Sequence, residues 1–303
     1  MTNISQFQRK FMDLCPNIAQ RFNEPLSKHT SFRIGGPAEV MAFPKNLEEL
    51  SALMKVSRIL DCKPVILGAG TNILAPDEGI SGLVICLKDS LSGIEQVSVN
   101  EIWVAGGVTM TRAAVFAAGL GLGGLEFAHG IPGTVGGGVY MNAGAYDGQL
   151  SDCCRCVEVM DLEGNVTTYT SEQMEFSYRH SRLEDEPGIV ISATFALEPK
   201  PESEIRERMR ELMSRRKEKQ PLELPSAGST FKRPEGHFAG ALIEQAGLKG
   251  FCVGDACVSE KHAGFVVNLG GASSEDVKQL IKEITQIVYD RFGVMLEPEI
   301  RIW

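Results

Sequence analysis

The segment VILGAGTN, residues 65–72, constrains the fold more than any other stretch of the chain. Its first residues are typical of a buried strand, and the glycines after them are typical of a tight turn. Only the ten residues ILAPDEGISG separate this turn from the next apolar segment. Ten residues that include Pro76 and two glycines cannot form the helical crossover of a dinucleotide-binding βαβ unit. We therefore predict either an anion-binding nest of backbone N–H groups or a plain tight turn.

Glycine is concentrated in two further segments. In GLGLGG, the residues Gly119, Gly121 and Gly124 match the spacing G-x-G-x-x-G, but they follow a predicted helix and not a strand. We interpret this segment as a helix end and a loop. Residues 130–148, GIPGTVGGGVYMNAGAYDG, hold seven glycines in nineteen positions. Because strands and apolar residues flank them, we predict a surface of bare backbone on which a ligand lies, and not a linker.

The remaining periodicity predicts an α+β protein. Helices are expected at residues 46–60, 109–121, 204–220, 237–248 and 273–293. The first has Asn46 as its N-cap, and the last is capped by Ser273 or Ser274 and ends at Gly293. Strands are expected at residues 82–87, 94–99, 101–107, 156–165, 166–170, 188–198, 264–270 and 294–303. These elements do not alternate in a strict βαβ rhythm, which favours the α+β class. Two prolines among the charges of residues 198–204 indicate a domain boundary.

Composition excludes several classes of protein. Of the 303 residues, 43% are hydrophobic and 23% are charged, as in a folded globular protein. A net charge of −9 argues against non-specific nucleic-acid binding. No stretch approaches the ~20 apolar residues of a membrane helix, and the N-terminal MTNISQFQRKFMDLCPN lacks the apolar core of a secretory signal. We expect a cytoplasmic protein without a membrane partner.

The eight cysteines are expected to be reduced and buried thiols. Cys153, Cys154 and Cys156 contain one C-x-x-C spacing, but a zinc site needs a second pair. Cys252 and Cys257 have no histidine at ligand spacing nearby. No metal site is predicted.

Six motifs in a fixed order resemble the UDP-N-acetylenolpyruvoylglucosamine reductase (MurB) family of bacterial cell-wall flavoenzymes. They are TSFRIGGPA at Thr30, VILGAGTNIL at Val65, GLEFAHGIPGTVGGGVYMNAGAYDG at Gly124, YRHSRL at Tyr178, PSAGSTFKRP at Pro225 and LEPEIRIW at Leu296. The resemblance implies the two-subdomain FAD-binding fold of the vanillyl-alcohol-oxidase/MurB type, followed by a C-terminal α+β substrate domain. The implied divisions are residues 1–62 and 63–198 for the FAD-binding subdomains and 199–303 for the substrate domain, whose last strand contributes to the active site.

The resemblance also implies non-covalent FAD. The matching cofactor-binding positions are Arg33, Gly68, Ala69, Gly70, Thr71, Asn72, Ile73, Ile131, Pro132, Gly133, Thr134, Gly136, Gly137, Asn142, Gly144 and Ala145. Glycines at such positions let backbone N–H groups approach phosphate or flavin oxygens. The segment LGAGTN has no histidine that could tether the flavin, and His129 is expected to have a structural role.

The implied reaction reduces the enolpyruvyl double bond of a UDP-sugar, with NADPH as the hydride donor. Ser229 matches the proton donor of the family, and Arg179 and Glu299 match the pair around the substrate carboxylate. A guanidinium there stabilises developing negative charge. A glutamate beside an anionic substrate has to be protonated or to share a proton, so we expect this of Glu299 in the substrate complex.

Family position suggests four substrate-binding residues: Lys219, Arg233, Lys261 and Asn268. The chain resembles the shorter form of the family, without the insertion that carries a substrate-covering tyrosine. The resemblance therefore does not identify the group that closes over the substrate. Two other functions remain as alternatives. One is a flavin oxidase or dehydrogenase for another small substrate, and the other is a nucleotide-binding protein without catalysis. The sequence has no separate motif that distinguishes NADPH from NADH.

Overall fold

The computed structural model describes residues 5–303, which form two compact units. The first unit comprises the described residues up to Asn23 together with Glu39–Ala69 and Ser81–Ser214. The second comprises Glu24–Ala38, Gly70–Ile80 and Arg215–Trp303. Each unit is therefore assembled from segments that are distant in the sequence.

Helices and strands are mixed along the described chain, and their pairing is mostly antiparallel, as predicted for the α+β class. The helices are α1 (Gln6–Leu14), α2 (Leu47–Ile59), α3 (Met110–Gly119), α4 (Val135–Tyr140), α5 (Glu202–Lys219), α6 (Ala239–Gln245) and α7 (Ser274–Phe292). The strands are β1 (Ala19–Pro25), β2 (Pro37–Phe43), β3 (Val65–Leu67), β4 (Ile73–Leu74), β5 (Ile80–Cys86), β6 (Ile94–Ser98), β7 (Glu101–Ala105), β8 (Leu122–Gly123), β9 (Gly144–Ala145), β10 (Gly148–Gln149), β11 (Cys154–Met160), β12 (Val166–Thr170), β13 (Ile189–Ala196), β14 (Glu198–Pro199), β15 (Cys252–Val253), β16 (Ala256–Val258), β17 (Val266–Asn268) and β18 (Arg301–Ile302).

The first unit is built on two sheets and one apolar core. An antiparallel sheet has the strand order β12-β11-β13-β7-β6, and a second sheet has the order β1-β2-β5-β3. The predicted helix α2 begins at the Asn46 cap, whose side chain accepts a hydrogen bond from the Glu49 amide. Its buried face, with Leu50 and Leu53 wholly enclosed, belongs to the core that also contains Phe195 of β13.

The connection from β3 to β5 contains no helix, as the sequence predicts. The two strands are nevertheless parallel, with Val65 opposite Val84. Parallel neighbours need a long connection, and here residues 70–80 supply it by running through the second unit. There β4 forms a two-stranded parallel pair with β18 at the C-terminus. The turn at residues 68–72 therefore lies where the chain passes from one unit to the other.

The second unit packs α6 and α7 with the antiparallel sheet β15-β16-β17. The helix α7 begins at Ser273, which forms a capping box with Asp276, and ends at Gly293 in the left-handed conformation (φ +69°). Its apolar side chains, among them Leu280 and Ile284, are fully buried in the core of this unit. Both predicted helix boundaries are confirmed.

One expectation about cysteine is wrong. Cys252 and Cys257 form a disulfide, because they are directly opposite in the tight hairpin of β15 and β16. The other six cysteines are free, and four of them are buried. Burial raises the pKa of the Cys154 thiol to about 12 and also raises that of Cys153.

Among the helices within residues 5–303, none has the length and hydrophobicity needed to span a bilayer.

Candidate functional site

The turn after β3 approaches the glycine-rich segment inside the first unit. A methyl group added at Gly68 would lie 2.7 Å from Thr134 Oγ1, closer than side chains pack. Gly70, in the second unit, has φ +63°, and a methyl group there would overlap the carbonyl oxygen of His29. Glycine is thus required at both positions, at Gly68 for close approach and at Gly70 for close approach and conformation.

The glycine-rich segment forms a short helix, α4, which the sequence did not predict. Thr134 caps this helix by accepting a hydrogen bond from the Gly137 amide at 3.3 Å. The Gly136 amide donates to the Gly106 carbonyl at 2.8 Å, and a methyl group at Gly138 would lie 2.8 Å from Met110 Sδ. Part of the glycine content therefore allows α4 to pack closely on neighbouring backbone. Pro132 and Gly137 remain exposed.

Asn142 is committed to protein partners. Its side chain is wholly buried, and its amide nitrogen is 3.0 Å from the Ser177 carbonyl oxygen and 3.3 Å from both Gln149 Oε1 and Ser151 Oγ. Its Oδ1 accepts a hydrogen bond from the Ser151 amide at 3.0 Å. The side chain thus braces the end of the glycine-rich segment, and only its backbone is left for a ligand.

Arg179 lies beside the same segment. Its Nη2 donates to the Gly144 carbonyl at 3.0 Å, and its guanidinium stands 5.0 Å from the centre of the Tyr178 ring. The side chain is half-buried. The first unit therefore brings a predicted catalytic residue into contact with the predicted cofactor-binding residues.

In the second unit, Ser229 and Glu299 lie on adjacent backbone segments. The Glu299 amide donates to the Thr230 carbonyl at 2.8 Å, and Phe231 is bridged to Pro298 in antiparallel fashion. Thr230 is buried, Ser229 is exposed and Glu299 is half-buried. The backbones of two residues predicted to be catalytic are thereby held on neighbouring segments.

The same C-terminal segment is bound to the turn at Asn72. The Asn72 side-chain amide donates to the Glu299 carbonyl at 3.2 Å, and the Arg301 amide donates to the Asn72 carbonyl at 2.8 Å. The structure therefore links Asn72 to Glu299 directly and to Ser229 through the neighbouring Thr230.

The loop that carries Arg33 is fixed in the second unit. Ser31 donates to the Gly70 carbonyl through its amide at 3.0 Å and to the Ser226 carbonyl through its hydroxyl at 2.6 Å. The buried Asn268 donates to the Phe32 carbonyl at 3.0 Å, and its Oδ1 accepts two further amide hydrogen bonds. Asn268, predicted as a substrate-binding residue, therefore braces this loop with its side chain. Arg33 itself is exposed.

The three cationic candidates of the second unit have different surroundings. Lys261 Nζ donates to the Lys217 carbonyl near the end of α5 at 2.8 Å. Lys219 is the last, exposed residue of α5. Arg233 stands over the ring of Phe238, 4.0 Å from its centre. Phe238, inside the helix predicted at residues 237–248, was not singled out from the sequence; in the structure it is the N-cap position before α6.

Three predicted site residues have backbone conformations that side chains rarely adopt. The φ angles are +57° at Arg33, +40° at Asn142 and +56° at Arg179. Non-glycine residues with positive φ are uncommon and cluster at functional sites. These three are among nine described non-glycine residues with positive φ, and several of the others, such as Asn23, Asp61 and Asp89, are not predicted site residues.

The residues of the two glycine loops in the first unit have the chemistry to hold a flavin nucleotide. Pro132 and Gly137 are exposed, and Gly68 and Ala69 present backbone with little side chain to a ligand. Beside the second loop, His129 hydrogen-bonds to the Met209 backbone, and burial lowers its pKa. Its Nδ1 is buried without a protein partner. These features fit FAD held by glycine loops, with His129 as a neutral, structural neighbour. Within residues 5–303, no group of three or more His, Cys, Asp or Glu could hold a metal ion.

Comparison with known proteins gives matches along nearly the whole chain. The model for the C-terminal domain of UDP-N-acetylenolpyruvoylglucosamine reductase matches residues 220–303, and an FAD binding domain model matches residues 38–170. The chain is 46% identical to the UDP-N-acetylenolpyruvoylglucosamine reductase of Agathobacter rectalis over 98% of each chain. It is 48% identical to that of Caldicellulosiruptor saccharolyticus over 94% of this chain and 92% of the relative. The crystal structure of UDP-N-acetylenolpyruvylglucosamine reductase (MurB) from Thermus caldophilus superposes with a TM-score of 0.79 at 36% identity, covering 95% and 99% of the two chains.

Proposed function

The chain belongs to the UDP-N-acetylenolpyruvoylglucosamine reductase family, and we propose that Ser229, Arg179 and Glu299 carry out the reaction of that family. The family membership confirms the predicted resemblance and the predicted FAD-binding fold. The enzyme contains FAD and uses NADPH to reduce the enolpyruvyl group of UDP-N-acetylglucosamine enolpyruvate to the lactyl ether, UDP-N-acetylmuramate. This reaction belongs to peptidoglycan precursor synthesis.

FAD supplies the hydride relay between NADPH and the substrate when it is bound. Gly68, Ala69 and the exposed part of residues 131–137 would hold it through backbone contacts in the first unit. Gly70, Thr71, Asn72, Ile73 and Arg33 are the cofactor-binding candidates of the second unit. The side chain of Asn142 positions the loop, and Gly144 and Ala145 contribute backbone.

Ser229 donates the proton. When hydride reaches C3 of the enolpyruvyl group, C2 becomes carbanion-like and strongly basic. A serine hydroxyl, a weak acid, can protonate such a carbon. The observation that carries this assignment is the hydrogen bond between the Thr230 carbonyl and the Glu299 amide, because it fixes the Ser229 backbone beside a second polar group.

Arg179 and Glu299 act on the substrate carboxylate. The planar guanidinium of Arg179 pairs with the carboxylate and stabilises the charge that develops on it during hydride transfer. Glu299 hydrogen-bonds to the same group in its protonated form or through a shared proton. Its backbone is held from two sides, by Asn72 and Thr230, so the carboxyl group is pre-positioned.

For the domain division, we propose residues 1–62 and 63–198 as the FAD-binding subdomains and residues 199–303 as the substrate domain; residues 1–4 lie outside the described chain. The matched domain models cover residues 38–170 and 220–303 and give no boundary at residue 62. Residues 24–38 and 70–80 pack with residues 215–303 in the second unit. Lys219, Arg233 and Lys261 bind the anionic part of the substrate, and Asn268 positions the Arg33 loop.

NADPH and nucleotide sugars are cytoplasmic metabolites, so the activity belongs in the cytoplasm. The net charge of −9 disfavours nucleic acid as a partner.

The test is an assay of the purified protein with FAD, NADPH and UDP-N-acetylglucosamine enolpyruvate. We expect a yellow protein that oxidises NADPH only when the enolpyruvyl substrate is present. A flavoprotein that instead consumes oxygen rapidly and ignores this substrate would be an oxidase of the same fold. A protein that cannot take up FAD would contradict both assignments.

A further inference from the structure

Phe238 is an exposed aromatic residue in the substrate half of the chain. Its side chain is 61% exposed. The Arg233 guanidinium lies 4.0 Å from the ring centre, in the stacked arrangement that arginine adopts on aromatic faces. The two side chains form a positively charged stack, with the guanidinium over one face of the ring; we call it the Arg233–Phe238 pair.

The backbone under this pair is fixed. Phe238 precedes α6, and its carbonyl accepts the Ala241 and Leu242 amides at 3.0 and 3.1 Å. Ala239 and Leu242 are buried in the core of the second unit. The exposed ring is therefore carried by an anchored helix start and not by a loose loop, as a preformed binding surface requires.

The pair lies close to the proposed proton donor along the chain. Ser229 and Arg233 are four residues apart, so their Cα atoms are separated by at most about 14 Å at ~3.5 Å per residue. The segment between them is held against the C-terminal segment, since the Lys232 amide donates to the Glu297 carbonyl at 2.8 Å. Both residues therefore belong to the same rigid part of the second unit.

We propose that the Arg233–Phe238 pair is the stacking surface for the pyrimidine base of the nucleotide-sugar substrate. The inference rests on the proposed function, which gives the substrate a uracil and a pyrophosphate. Aromatic side chains stack on bases, and a guanidinium plane also stacks on bases and attracts the adjoining anionic phosphates.

The experiment compares Phe238→Ala, Phe238→Tyr and the control Phe292→Ala. Phe292 is an exposed phenylalanine of the same unit, at the end of α7. Phe238→Ala should raise the KM for UDP-N-acetylglucosamine enolpyruvate about tenfold, the size expected from losing one base stack. The kcat and the KM for NADPH should stay unchanged, because the base is remote from the reacting carbon. Phe238→Tyr should restore the low KM, and Phe292→Ala should change nothing.

Inhibition by UDP and by inorganic pyrophosphate distinguishes binding of the base from binding of the phosphates. Phe238→Ala should weaken inhibition by UDP about tenfold and leave that by pyrophosphate unchanged. An unchanged KM and unchanged UDP inhibition would overturn the inference while leaving the proposed function intact. A raised KM for NADPH alone would also overturn it, since the ring would then serve the adenine or nicotinamide. Failure of the wild-type protein to reduce the enolpyruvyl substrate would instead contradict the proposed function.

Discussion

At the scale of single residues, the candidate site depends on backbone conformations that sequence motifs do not reveal. Arg33 and Arg179 both have positive φ, a conformation that costs a non-glycine residue of order 1–3 kcal/mol unless the surroundings hold it. Arg179 is held by its hydrogen bond to Gly144, and Phe32, next to Arg33, is held by Asn268. The motifs predicted which residue types matter, but not that their neighbours have to hold them in place.

Replacing Arg179 by lysine tests its role in charge stabilisation. Lysine keeps the charge but loses the planar fork that pairs with a carboxylate. We expect kcat for reduction of the enolpyruvyl substrate to fall about 10²-fold, as when one preorganised donor is removed from a site of developing charge. FAD content and the rate of flavin reduction by NADPH should stay near the wild-type values in stopped-flow absorbance. Equal losses in both half-reactions would contradict this role.

The half-buried His262 predicts a loss of stability in acid. Burial lowers the pKa of its imidazole below the ordinary value of 6.5. The unfolded chain therefore takes up a proton at a higher pH than the folded chain, so stability falls as the pH drops below about 6.5.

Denaturant unfolding at pH 7.5 and pH 5.0 measures this effect. The variant His262→Asn should lose less stability between the two pH values than the wild type does. The control His237→Asn, at an exposed histidine of the same unit, should behave like the wild type. Identical losses in all three proteins would exclude His262 as a source of the pH dependence.

At the scale of helices and strands, local signals predicted most boundaries. Asn46, Ser273 and Gly293 mark helix ends where the sequence places them. Helix α4 was not predicted, because glycine has a low helix propensity and VGGGVY contains three. Its packing against a neighbouring backbone, with Gly136 bonded to Gly106, outweighs that propensity. Such tertiary packing cannot be read from a local window of sequence.

The cap of α4 has a matched counterpart in α3. Thr134 and Thr109 each accept an amide hydrogen bond at 3.3 Å, and each loses it on substitution by valine. Either variant should lose about 1 kcal/mol of stability, the usual value of an N-cap. Only Thr134→Val should also weaken FAD binding, measured by flavin fluorescence, because Thr134 contacts Gly68. Equal effects of both variants on FAD affinity would refute a specific role for the α4 cap.

The disulfide of the β15–β16 hairpin predicts how many free thiols the unreduced protein has. With the Cys252–Cys257 disulfide present, denatured but unreduced protein should show six thiols, and reduced protein should show eight. The variant Cys252→Ser/Cys257→Ser should show six in both states. Eight thiols in unreduced wild type would mean that the pair is reduced, as the sequence alone suggested. The pairing was missed because strand register, which places these residues opposite each other, is not visible in their spacing.

At the scale of the whole molecule, the sequence order of motifs predicted the family but not the assembly of the units. The class, the cofactor and the reaction follow from motifs distributed over the chain. The motifs do not predict the second unit, in which residues 24–38 and 70–80 join residues 215–303. This assembly depends on long-range strand pairing, such as that of β4 with β18. This pairing joins Asn72 to the segment that carries Glu299.

The central claim is that Ser229 protonates the substrate while the glycine loops of the other unit hold the flavin. Stopped-flow absorbance of Ser229→Ala, with Ser226→Ala from the same loop as the control, tests it most directly. We predict normal FAD content and normal flavin reduction by NADPH in both variants. Reoxidation by UDP-N-acetylglucosamine enolpyruvate should be about 10²- to 10⁴-fold slower in Ser229→Ala alone, the usual contribution of a general acid. Reoxidation at the wild-type rate in Ser229→Ala, or loss of both half-reactions, would contradict the account.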